Sequence, residues 1–173
     1  LGADRAVLVN DSAPSDPSLT ALLLSKALIV FYSGLLPDLI FCGKHSTDFQ
    51  HAQVPPMLGE LLGIASVSGI TALNVSGELF HVEREIEGGI EQIDCQFPAV
   101  LSTEKGLNQP RKTSIKAIME ARKKPIEQLQ VSTEETASVT VANIEPVYRN
   151  KICRFVEDET ELVRLLTRER TLF

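Results

Sequence analysis

The sequence predicts an α/β fold: a doubly wound, mostly parallel sheet with an antiparallel hairpin excursion. Three observations carry this. The first half runs strand, loop, helix, strand. The run from Val82 to Ser102 reads as two alternating strands about a Gly-Gly turn, followed by a third strand. A chain of 173 residues that is 43% hydrophobic is large enough to bury one core.

The elements follow in order. Ala6 to Val9 is a short apolar run that reads as a buried strand. Asp11 to Pro17 is rich in turn residues, and Asp16 or Ser18 is placed to cap a helix that continues through Ala21 to Phe31 and stops at Gly34 and Pro37. Asp38 to Gly43 is an apolar strand ending in glycine. Pro55 or Pro56 starts the next helix, which closes at Gly63.

After Ile64 to Ser68 the pattern changes. Ala72 to Val75, Leu79 to Ile86 and Ile90 to Phe97 are short alternating segments, read as an antiparallel excursion. Glycine supplies the positive φ that such turns need, which places the hairpin turn at Glu87-Gly88-Gly89. Pro98 cannot donate to a ladder and marks the entry to Ala99–Ser102, which rejoins the main sheet. Thr113 or Ser114 caps a helix from Ile115 to Lys124 that ends at Pro125, with Ile115, Ile118 and Met119 on its core side. Val139 to Ile144 reads as extended. Glu157 to Thr167 reads as a helix with acids first and arginines last, the order the helix dipole favours.

Composition narrows function. The net charge of −6 argues against unaided binding to nucleic acid or anionic lipid. Leu19 to Leu36 is the most apolar stretch, but Ser25, Lys26, Tyr32 and Ser33 interrupt it, so it reads as a buried helix and no membrane insertion is expected. Cys42, Cys95 and Cys153 are odd in number and widely spaced, which suits reduced, buried thiols of a cytoplasmic or mitochondrial-matrix protein.

Ligands of open α/β sheets bind beyond the carboxyl ends of the strands, which directs attention to the loop Gly43 to Pro56. Gly43 allows close backbone approach, and Ser46, Thr47, Asp48 and Gln53 offer hydroxyl, carboxylate and amide groups. His45 and His51 flank Asp48, but no third ligand can be named and no metal site is assigned. Ser46, His45 and Asp48 are too close in sequence to orient one another as a hydrolytic triad, and no GxSxG elbow is present. A second polar stretch, Gly106 to Glu127, leads into the amphipathic Ile115 helix, with Lys116, Arg122, Lys123 and Lys124 on its solvated side.

Val82 to Ser102 resembles the signature of the electron transfer flavoprotein beta subunits: Val82, Arg84, Glu87, Gly88, Gly89, Glu91, Ile93, Pro98, Val100 and Leu101 fall at its positions, with Ser102 where Thr, Ala or Cys is usual. The loop after Gly43 is similar to the adenine-nucleotide loop of that family, with Gly43, Asp48, Gln53 and Val54 matching and Pro55 replacing a frequent glycine. The stretch Gly106 to Glu127 resembles its dehydrogenase recognition loop, with Pro110, Arg111, Ile115 and Met119 at the matching positions and Glu120 replacing a common lysine.

The resemblance implies an adenine-nucleotide alpha-hydrolase-like fold and an electron carrier with no catalytic side chain of its own. Such a chain would pair with an alpha subunit that holds most of the FAD, bind AMP or a second FAD in its own loop, and dock an acyl-CoA dehydrogenase-type or other flavin dehydrogenase. It further implies that residues 1–130 are the C-terminal portion of the α/β domain of a longer chain, with 131–173 a partner-docking extension. A universal-stress-like nucleotide module and a ligand-free scaffold paralogue are the alternative readings.

Overall fold

The computed structural model describes residues 2–10, 16–148 and 155–168. It divides into two compact units, Leu1–Thr140 and Val141–Phe173.

The first unit is α/β with mixed strand directions. Its elements are β1 (Ala6–Asn10), α1 (Pro17–Phe31), β2 (Leu39–Gly43), α2 (Val54–Leu62), β3 (Ala65–Ser76), β4 (Leu79–Ile86), β5 (Gly89–Gln96), β6 (Ala99–Thr103), α3 (Ile115–Ala121) and β7 (Ile126–Gln130). The five-stranded sheet has the order β2-β6-β3-β4-β5. Its β2, β6 and β3 are mutually parallel, while β4 and β5 continue from β3 as antiparallel neighbours.

β3 joins the two halves of that sheet. The alternating segment from Ala72 and the apolar segment before it are one strand of 12 residues, not two separate elements. Two irregularities let it serve both neighbours. Val67 and Ile70 face Leu101 and Thr103, so β3 carries one extra residue there, with Gly69 at φ +72°. Ile70 and Ala72 then face Arg84 and Glu83, and the Thr71 hydroxyl donates to the Glu83 carbonyl at 3.2 Å. The core lies on this join: Val67, Ile70, Phe80, Val82, Ala99 and Leu101 are buried together, with Leu39, Leu73, Ile93 and Leu107 packed against them.

The hairpin is as the alternation predicts. In β4, Phe80 and Val82 are fully buried while His81 points to solvent. Directly opposed residues pair across it: His81 with Asp94, Arg84 with Glu91 at 2.5 Å, and Gln92 donating to Glu83 at 2.8 Å. Gly88 alone takes positive φ in the turn (+87°), and Gly89 already pairs with Ile86. The Phe97–Pro98 peptide is cis.

α2 is the helix that packs on β3 and β6, and α1 packs on α2. Asp16 supplies the cap of α1, and Pro17 opens the helix, where a missing N–H costs nothing. α2 ends on Gly63 in the left-handed conformation, as expected of a glycine stop.

Three expectations are corrected. β1 is not a buried strand: it pairs with β7 alone, in a separate two-stranded sheet, and Leu8 is 48% exposed. β7 itself has no counterpart in the sequence reading. α3 ends at Ala121 rather than Lys124, and buries no residue; Ile115, Ile118 and Met119 are all exposed because nothing in the unit packs over them.

In the second unit, α4 (Glu159–Arg168) is capped by Asp158, which accepts the Glu161 N–H at 2.7 Å. Glu159 and Glu161 lie in its first turn and Arg168 in its last, in accord with the dipole. Leu162, Val163 and Leu166 are exposed along it. Among the described residues, no helix is long and apolar enough to cross a membrane.

Candidate functional site

β2 and β6 end at one side of the sheet, level with Ile70, where the parallel part of β3 gives way to its antiparallel part, and the loop 44–53 leaves from there. Glu104 donates its N–H to the Ile70 carbonyl at 2.9 Å, and the Thr103 hydroxyl donates to the Cys42 carbonyl at 3.2 Å, so the ends of β2 and β6 are tied to one another and to the middle of β3. Lys44 pairs with Glu104 across that tie, and the ammonium holds the Glu104 carboxyl below its usual range. Neither residue stood out in the sequence. A cation one residue after a strand and an acid one residue after its neighbour are visible only once the register is known.

Gly43 sits in β2 with no positive φ, and a Cβ added to it would meet nothing within 4 Å. Neither conformation nor crowding within the chain calls for glycine there, and the space over its backbone is open. Asp48 accepts the Phe49 N–H at 2.8 Å. The Ser46 hydroxyl and this N–H, aided by nearby His51, hold the Asp48 carboxyl below its ordinary range by favouring the charged form. The rings of Phe49 and His51 stack at 5.5 Å and 30°. Gln50 and Ala52, which flank His51, both take left-handed φ (+52° and +55°). Such a conformation is unfavourable for a residue with a Cβ, so this loop holds its shape against a local cost.

Gln53 precedes α2 but makes no side-chain cap, leaving its amide uncommitted to the helix, and Val54 is the first helical residue. Pro55 and Pro56 have no N–H, and the Met57 N–H is taken by the Gln53 carbonyl at 3.2 Å. Val54 is then the residue of that first turn with an N–H to offer. An anion here would be held by side chains, and the loop offers Lys44, His45 and His51 together with the hydroxyls of Ser46 and Thr47 and the Gln53 amide.

The second candidate stretch is separate from this loop. Pro110 and Arg111 lie in irregular chain; Ser114 caps α3 by accepting the Ala117 N–H at 3.2 Å. Ile115 is 79% and Met119 60% exposed. Lys124 donates to the Ala3 carbonyl, and Arg111 lies beside Gly2. A cavity of about 540 Å³ lined by Phe41, Thr103, Lys105, Leu107, Asn108 and Pro110 separates the root of this stretch from β2. A second, of about 530 Å³, lies between α1 and the β1–β7 pair, against Val9, Leu28, Phe31 and Leu129.

Among the described residues, no group of three or more His, Cys, Asp or Glu could hold a metal ion. Cys42 and Cys95 are free and half-buried, and burial pushes both thiols up, away from the reactive thiolate. Cys153 lies outside the described residues.

Residues 1–134 match the family model described as the electron transfer flavoprotein domain. The chain is 34% identical to the electron transfer flavoprotein subunit beta of Bacillus subtilis, over 98% of this chain and 64% of that one. It is 34% identical to the protein of the same name from Bradyrhizobium diazoefficiens, over 98% and 68%. It is 30% identical to that of Mus musculus, over 96% and 66%. The chain thus spans about two thirds of the length of these relatives. Taken with the hairpin and the strand-end loop, these matches place it: the chain belongs to the electron transfer flavoprotein family, among the beta subunits.

Proposed function

We propose that this chain forms the beta half of a heterodimeric electron transfer flavoprotein, taking electrons from a dehydrogenase and passing them to a downstream acceptor. FAD bound mainly by an alpha subunit would supply the redox chemistry, and no residue of this chain need act as acid, base or nucleophile. The observation that carries the docking part is α3: a helix with no buried residue that presents Ile115 and Met119 to solvent beside Arg111, Lys112 and Lys116. Apolar anchors in a basic rim suit a partner with an acidic margin, here a flavin dehydrogenase of the acyl-CoA type.

The loop 43–54 is the nucleotide contact in this reading, holding AMP or a second FAD. The open space over Gly43 admits a ligand close to the backbone, and Asp48 and Gln53 supply an acceptor and an amide. The proline pair weakens the phosphate end, so Lys44 and His45 would carry it. The fold reading that accompanies this is a doubly wound, adenine-nucleotide alpha-hydrolase-like domain, with 131–173 as the partner-docking extension. Bacterial and plant mitochondrial relatives accord with a cytoplasmic or matrix protein.

The test is to co-express the full-length chain with an alpha subunit and record the absorption spectrum of the purified complex. A yellow one-to-one complex with a flavin spectrum is expected. Failure to pair, or a colourless pair, would overturn the proposal.

A further inference from the structure

Asp16 is a buried carboxylate with a divided task. It is 7% exposed and stands at the N-cap of α1. One of its oxygens, Oδ1, accepts the Leu19 N–H at 2.8 Å, the ordinary duty of a capping residue. The other, Oδ2, accepts two further backbone N–H groups, those of Ser138 at 2.8 Å and Val139 at 3.0 Å, from chain more than 120 residues away. Successive N–H groups converging on one oxygen make a small anion-binding concavity, and hydrogen bonds to a charged acceptor are among the stronger ones a protein makes.

The chain around Ser138 has little else to hold it. After β7 ends at Gln130, residues 131–140 belong to no helix or strand, so no ladder fixes their N–H groups. Val139 leaves 67% of its surface exposed and gains little from apolar burial. Ser138 and Thr140 are exposed as well. A segment without a ladder, with only Val131, Thr133 and Ala137 half-buried, relies on its polar ties, and the ties at this point run to Asp16.

We propose that Asp16 is a clip: it holds the 131–140 segment, the last stretch of the first unit, at the head of α1. The clip and the cap use different oxygens of the same side chain, so the two roles are separable by substitution. Releasing the clip frees the segment without unfolding α1. Asp16 here is a positioning residue, and the inference is independent of whether a nucleotide or a flavin is bound.

Asp16→Ser separates the roles. Serine is as good a cap as aspartate, but its single short hydroxyl cannot serve Leu19 and also reach Ser138 and Val139. Asp16→Asn is the second variant: with its carbonyl oxygen on Leu19, it turns an amide N–H₂ toward two N–H groups, donor against donor. Hydrogen exchange would be followed by mass spectrometry on the full-length chain, comparing peptides from 131–140 with peptides from α1. The expected result is exchange at Ser138 and Val139 at least tenfold faster in both variants, with α1 protection retained in Asp16→Ser and the 131–140 segment newly open to limited proteolysis. Unchanged exchange at 131–140 in both variants would overturn the clip. So would parallel loss of protection in α1 and the segment in Asp16→Ser, which would reduce Asp16 to a cap whose loss loosens the whole unit.

Discussion

The Ser102 hydroxyl accepts the Gly69 N–H at 2.8 Å, at the point where β3 gains a residue on β6. Bulging the strand removes that N–H from the ladder, and Ser102, 1% exposed, supplies the acceptor in its place. Ser102→Ala is expected to leave a half-buried donor unpaired and to cost about 1–2 kcal/mol. Ser102→Thr, which keeps the hydroxyl, should cost less. Urea denaturation of the three proteins at one pH checks the order; equal midpoints for the alanine and serine forms would contradict it.

Gly59 is where α2 comes down on the sheet. A Cβ there would lie 2.6 Å from the Ser66 Cβ and 3.3 Å from the Ile64 carbonyl oxygen, so Gly59→Ala must push the helix outward. A loss of about 1–3 kcal/mol is expected, in the range of overpacking. Adding Ser66→Gly should recover part of it, and a double-mutant cycle on thermal unfolding measures how much.

Four carboxylates set the behaviour toward acid. Leu19, Val139 and Ser138 N–H groups hold Asp16 below its ordinary value of 3.8, the Ser46 hydroxyl and Phe49 N–H hold Asp48 below 3.8, Lys44 holds Glu104 below 4.5, and Arg5 holds Glu127 below 4.5. The folded protein therefore binds fewer protons than the unfolded chain. Their stabilisation is complete above about pH 5 and is lost as pH falls through the depressed folded values. The denaturation midpoint should be flat from pH 7 to 5 and fall below that, and Arg5→Met should make the fall shallower. A midpoint that rises on acidification would refute this.

The exposed helix gives a different signature. Ile115→Asp removes an apolar anchor that is 79% exposed, so stability should change by no more than about 0.5 kcal/mol. Reduction of the heterodimer's flavin by its dehydrogenase should slow at least tenfold, while reduction by dithionite is unaltered. An undiminished dehydrogenase rate would move the dock away from α3.

The sequence was most readable where one period and one kind of neighbour ruled. The alternation of Phe80 and Val82 with His81 specified the hairpin, and Asp16, Pro17 and Gly63 marked helix ends through local chemistry. It was least readable where partners are distant. Ala6–Val9 looks buried because it is apolar, yet its neighbour is β7, a strand of Ile, Glu, Gln, Leu and Gln with no strong pattern, recruited from 120 residues away. Gly69 and Thr71 gave no sign of bulges, since an extra residue is defined only against the strand it faces. At the loop, residue types were legible, while the Lys44–Glu104 pair and the stacked Phe49 and His51 rings depend on register and on two left-handed residues.

The two-sided strand β3 also fixes an order of assembly. β3, β4 and β5 are consecutive and joined through Gly77 and Gly88, so their contacts close short loops, whereas β2 meets β6 only across 60 residues. β6 has no parallel groove to enter until the chain has travelled out along β4 and back along β5. The meander is thus expected to form early and to template the parallel half, with φ-values in β4 exceeding those in β2. A segment outside the candidate ligand loop would then govern how fast the protein comes into being.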